Sequence, residues 1–211
     1  MKKRAIVCLI GLSLVCSGSS AQADDQGIPD AVRNALERAG DNRAELLKAQ
    51  GRIPADQRES FAFLMANMPE RDLTSLNADF LVTNISLAHQ VMQETPWGPD
   101  VPKAIFRNYV LPYANISEKR DNWREPFHRD FLPLIRDCQT ISQAAETLNS
   151  TIFKKLKVKY SRKRRAADQG PFETIETGLA SCTGLSILLI DACRAVGIPA
   201  RLAGIPLWAD R

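Results

Sequence analysis

Imidazole is scarce in this chain. Of 211 residues only His89 and His128 are histidine, and both precede the C-terminal third. The cysteines, at 8, 16, 138, 182 and 193, lack zinc-ligand spacing, so the sequence implies no metal, and no motif implies a cofactor. Clear period-2 alternation is missing before residue 156, and the first two thirds read as helical. No apolar run is long enough for a stable membrane span. Sustained charge of one sign is missing as well, with Lys+Arg 28 against Asp+Glu 24. At 45% hydrophobic and 25% charged residues, the chain has an ordinary globular composition, with room for one substantial core or a small helical domain joined to a second unit.

What is present begins with Lys2, Lys3 and Arg4, followed by the apolar stretch Ala5 to Gly18 and the small-x-small pattern Ala21-Gln22-Ala23. Residues 1–23 read as a secretory signal peptide cleaved after Ala23, placing the protein outside the cytoplasm, secreted or periplasmic. A lipid anchor at Cys16 is the rival, disfavoured by the bulk of Val15. Cleavage removes three of the 28 basic residues and no acidic one, leaving 25 against 24. A nearly neutral mature chain has no global pull toward nucleic acid or anionic lipid, so no nucleic-acid partner is expected. Cys138, Cys182 and Cys193 remain in a compartment that permits disulfides. Their odd number leaves at least one thiol free, with Cys182 the best candidate and Cys138 and Cys193 either buried or bridged.

From Asp24 onward, Gly and Pro separate a series of helices. Segments open at Pro29 and after Asp41, Pro54 takes a first-turn position, and Leu76 to Met92 forms a longer helix containing His89. Pro96-Trp97-Gly98-Pro99 reads as a rigid turn with the indole as a packing anchor. Pro102 to Val110 reads as a short helix. Glu118 to Phe127, dense in charge around Trp123, reads as a solvated helical turn, with His128 just beyond it. Ser142 to Phe153 is amphipathic. Leu156 to Tyr160 then alternates apolar and basic residues, which sets a boundary near residue 140 between a helical arm (24–140) and an α/β unit (141–211). The run Lys154 to Arg165 holds eight cations and no acid; it reads as a solvated strand edge and loop.

Ser181-Cys182-Thr183-Gly184 opens a helix that is apolar nearly all round, from Leu185 to Val196, and Gly197-Ile198-Pro199 stops it ahead of an extended segment, Ala200 to Ile205. Ser181 can cap this helix, whose first-turn N–H groups favour a thiolate on Cys182. Gly184 and Ala192 allow close approach by strands, and Asp191 and Arg194, three apart, can pair. A thiolate nucleophile at neutral pH requires about 2.7 kcal/mol of differential stabilisation. A helix terminus supplies about 0.3 to 1 kcal/mol, so a second group must help. In thiol hydrolases that group is a histidine, oriented by a carboxylate or amide.

The segment from Gly178 to Ser186, with Ala192-Cys193-Arg194-Ala195-Val196-Gly197-Ile198-Pro199-Ala200-Arg201, resembles the nucleophile region of the transglutaminase-like superfamily. Tyr160-Ser161, Ala167-Asp168-Gln169 and Gly204 to Trp208 look like its surroundings. The resemblance implies an α+β fold, with the helical arm followed by an incomplete papain-like core whose central nucleophile helix packs on a partial antiparallel sheet. It implies that Cys182 attacks peptide or protein amides through a thioester resolved by an amine or water, with its own backbone N–H in the oxyanion hole. Gln169 is a candidate second donor that matches no family oxyanion position. In the family a histidine and an aspartate follow the cysteine on later strands. Here no histidine follows Cys182, so the chain reads as the nucleophile part of a longer protein, inactive alone. The alternative is a binding or scaffold protein that keeps the fold without the chemistry.

Overall fold

Proline and glycine set most of the helix ends in the computed structural model, which describes residues 29–204. The segment read as a signal peptide and the stretch after Gly204 lie outside the described residues. Pro29 precedes α1 (Asp30–Arg38), and the left-handed Gly40, at φ +54°, turns the chain toward α2 (Arg43–Arg52). Pro54 does not enter the first turn of α3 (Arg58–Asn67). It caps a separate 3-10 turn, Ala55–Gln57, that leads into the helix. Pro69 precedes the single turn α4 (Glu70–Leu73), and Asn77 caps α5 (Ala78–Glu94) by accepting from the Phe80 N–H at 2.9 Å. Pro102 starts α6 (Lys103–Tyr109). After α7 (Arg124–Phe131), Thr140 and Gln143 form a reciprocal capping box at the start of α8 (Ile141–Lys155). The chain then forms β1 (Lys159–Tyr160), α9 (Pro171–Thr177), β2 (Leu179–Ala180) and α10 (Cys182–Ala195).

The fold is α+β, as expected, but the pairing of its strands is not. β1 and β2 run parallel, with Lys159 opposite Leu179 and Tyr160 opposite Ala180. The chain between them passes through α9, and a helical crossover returns the second strand in the same direction as the first, where an antiparallel pair would need a tight reversal. The alternation from Leu156 to Tyr160 yields only two strand residues, because Lys157 turns the chain at φ +56° and Tyr160 faces solvent.

Among the described residues, buried apolar side chains gather in two clusters. One runs from Val32 to Tyr113 through α1, α2, α3 and α5. The other collects Trp97, Trp123, Phe127, Phe131 and Ile135 with the inner faces of α8 and α10. The region between them overturns one expectation. Glu118 to Phe127 is no solvated turn: Trp123 and Arg124 are each 2% exposed, and Glu118 and Asp121 are buried too. These charges stay inside because each meets fixed polar partners, which offsets the cost of leaving water.

Candidate active site

β2 leads through the buried Ser181 to Cys182 at the surface. The Lys159 N–H donates to Gly178 O at 3.0 Å and the Ser161 N–H to Ala180 O at 2.8 Å, so β1 fixes the two residues that lead into the cap. Ser181 is the expected N-cap. Its Oγ accepts from the Gly184 N–H at 3.0 Å and donates to the Ala167 carbonyl. Gly184 packs closely here: a Cβ on it would sit 3.1 Å from the Ala180 Cβ, so the neighbour would have to give by a few tenths of an ångström. Behind the cap, Ile187, Leu188, Ala192 and Val196 are fully buried, while Leu185 and Leu189 pack at the edge of the second cluster. The apolar wheel read from the sequence is what holds α10, and Cys182, its first residue, is exposed.

The first turn of α10 has two kinds of donor. The Gly184 N–H is taken by Ser181 Oγ, and the Leu185 N–H by Ser181 O at 3.0 Å. The N–H groups of Cys182 and Thr183 are the first-turn donors that the cap does not engage. Gln169 lies beneath this turn, 1% exposed, with its Cβ 3.8 Å from a Cβ placed on Gly184. Its Nε2 donates to Thr177 Oγ1 at 3.4 Å, and its Oε1 is buried without a partner, as is Thr174 Oγ1.

Neither histidine comes to the thiol. His89 is held in the arm by Ser60 Oγ, 2.8 Å from its Nε2, and by an edge-on contact with Phe106; burial lowers its pKa. His128 places Nε2 2.6 Å from Glu94 Oε2. Against the opposing effect of its burial, hydrogen bonds from Gln90 and His128 hold the Glu94 carboxyl below its ordinary value. The residue after Glu94, Thr95, has its Oγ1 3.3 Å from a Cβ placed on Gly197. The His128–Glu94 pair therefore belongs to the C-terminal end of α10, about 20 Å along the helix from Cys182 at 1.5 Å per residue.

That far end carries the residues that sequence reasoning missed. The Arg124 guanidinium donates to Asn84 Oδ1 (2.7 Å), to the Arg194 carbonyl (3.1 Å) and to the carbonyls of Val110, Leu111 and Pro112. Burial, and secondarily the nearby Arg194, pushes its pKa down to about 9. Arg194 does not close on Asp191 as expected. Its guanidinium donates to the carbonyls of Pro112, Ala114 and Ala200. Asp191, wholly buried, accepts from Asn115 Nδ2 at 2.9 Å, and burial raises its pKa well above the carboxylate range. Gly197 takes the expected left-handed turn at φ +76°, and its carbonyl accepts from Trp97 Nε1 at 3.0 Å. The available signal was a dense set of charges around Trp123 with no glycine to open a loop.

All three described cysteines are free, so Cys138 and Cys193 do not pair. Cys138 is partly buried beside Thr147 Oγ1, and burial pushes the Cys193 thiol up to about 12. Among the described residues no group of three or more His, Cys, Asp or Glu side chains is placed to hold a metal ion, and no helix is long and apolar enough to cross a membrane.

The Cys182 thiol thus stands exposed at the capped N-terminus of a buried helix. Residues 132–210 match the family model of the transglutaminase-like superfamily. No curated protein and no solved structure shows significant similarity to the chain.

Proposed function

We propose that Cys182 is the nucleophile of a thiol enzyme that acts on peptide or protein amides. The observation that carries this reading is the exposed Cys182 at the first position of α10, within a segment matching the transglutaminase-like superfamily. Sγ attacks the carbonyl carbon, a C–S bond forms as the C–N bond breaks, and the proton lost by the thiol ends on the leaving amine. Water or a second amine then resolves the thioester. The N–H groups of Cys182 and Thr183 are the donors for the oxyanion, and Gln169, whose Nε2 is turned to Thr177, supports the turn from beneath. The general base is neither His89 nor His128. We further propose, from the N-terminal segment alone, that the protein works outside the cytoplasm.

The proposal is tested by intact-mass measurement after exposure to an activated ester, whose leaving group needs no proton. One acyl adduct on Cys182, absent in Cys182→Ala and forming faster than on a free model thiol, is expected. Adducts spread over Cys138 and Cys193, or a rate no faster than the model thiol, would overturn it. That result would favour the second reading, a binding or scaffold protein on the same fold, which rests on the commitment of both histidines elsewhere.

A further inference from the structure

The loop between β1 and α9 is tied down at both ends beside the thiol. It starts at Ser161, whose N–H is bonded to Ala180 O, and returns at Ala167, whose carbonyl accepts from Ser181 Oγ. These anchors are two residues and one residue before Cys182, which sets both ends of the loop beside the start of α10. Between them stand Arg162, Lys163, Arg164 and Arg165, preceded by the exposed Lys159 and Tyr160. Three carboxylates lie nearby. Asp168 accepts from Ser117 Oγ, and Glu173 and Glu176 face Arg165 at 3.8 and 3.7 Å. Arg162, Lys163 and Arg164 have no carboxylate partner among the described residues; Arg164 donates only to the Arg162 carbonyl. The positive charge is thus local to the loop tied down beside the thiol, in a chain otherwise close to neutral.

We propose that this loop selects acyl donors bearing carboxylates close to the reacting carbonyl, so that the substrate is an acidic polypeptide segment. The inference rests on the thiol acyl-transfer reading. A nucleic acid would offer these cations phosphates but offers the thiol no acyl carbon, whereas an acidic peptide offers both. Exposed cations screened by salt act weakly one at a time and together bias approach.

The test measures how fast Cys182 of the full chain is labelled by peptide vinyl sulfones of equal length bearing three Asp, three Gln or three Lys. The acidic reagent is expected to label about eightfold faster than the neutral one, the product of three factors of about two typical of exposed charge pairs. That ratio falls toward one at about 1 M salt. In the combined variant R162Q/K163Q/R164Q the ratio drops close to one, whereas Arg165→Gln, whose charge faces two glutamates, keeps most of it. Equal labelling by acidic and neutral reagents overturns the proposal, as does a preference that survives the triple substitution. Protection of Cys182 by a single-stranded oligonucleotide as effective as by an acidic peptide of equal charge overturns it in favour of a general polyanion surface. Turnover is not read, so a thiol that labels with acidic preference yet never forms the activated-ester adduct sinks the acyl-transfer reading separately.

Discussion

Replacing Arg124 by methionine removes a charge that spans both clusters, and the structure sets the size of the loss. Five acceptors face the guanidinium. Leu111 O keeps the Asn84 amide, Pro112 O keeps Arg194, and the Arg194 carbonyl keeps the N–H groups of Val196 and Gly197. Asn84 Oδ1 and Val110 O are left without this donor in the interior, at about 1 to 3 kcal/mol each. Methionine fills much of the volume and removes the cost of burying the charge, which brings the expected net loss to about 3 kcal/mol. Urea unfolding reads this as a midpoint shift of about 1.5 M at unchanged slope, for a slope of about 2 kcal/mol/M. A double-mutant cycle with Asn84→Leu should give a coupling of about 1 kcal/mol or more. A loss under about 1 kcal/mol, with no coupling, would refute the reasoning and make this buried arginine a tolerated passenger.

Ser181→Ala removes the cap of α10 and should cost about 1 kcal/mol in urea unfolding, and iodoacetamide should label Cys182 more slowly as the first turn frays. Asp191 has a raised pKa, so the folded state holds the proton that the unfolded state releases above about pH 4; its contribution is intact below that pH and is lost as pH rises toward the folded value. Asp191→Asn should therefore gain stability relative to the parent as pH rises from 4 to 7, and a difference independent of pH would count against the buried carboxyl. His89 titrates the other way: its depressed pKa makes stability fall as pH drops below about 6.5, a slope that His89→Gln should flatten in pH-dependent unfolding. Gly98→Ala should prevent the Trp97 turn from closing, because the new Cβ would fall 1.8 Å from the Met92 carbonyl oxygen. Loss of the tryptophan fluorescence shift on folding would report it.

What was legible in the sequence was local. The wheel of α10, its Ser181 cap, the left-handed Gly197 and the close packing at Gly184 all follow from short-range rules, and each stands where the residues put it. The helices of the arm followed from proline and glycine punctuation in the same way. What stayed hidden depends on partners far apart in the chain. Arg124 meets Asn84 and Arg194, forty and seventy residues away, and Trp97 meets Gly197 at a separation of one hundred. No periodicity distinguishes a solvated charge run from one that will be lined with carbonyls. The strand direction was hidden for a related reason: no helix is expected between residues 171 and 177, and the helix in that place makes the crossover that returns β2 parallel to β1.

The bond from the Trp97 indole to the Gly197 carbonyl has a consequence for the order in which the chain acquires its shape. Residues near 97 and 124 leave the ribosome long before α10, yet the Trp97 indole finds its acceptor, and Arg124 one of its five, only at the end of that helix. The segment from Trp97 to Ile135 must therefore wait, with its aromatic side chains unburied, until residues 182 to 198 arrive. Contacts of such long span form slowly, and the waiting species exposes the surface on which chaperones and aggregation compete. Docking of α10 would then complete the second core and form the capped start that presents Cys182 in a single event, so that a chain with an accessible, ordered thiol is one whose two halves have already closed.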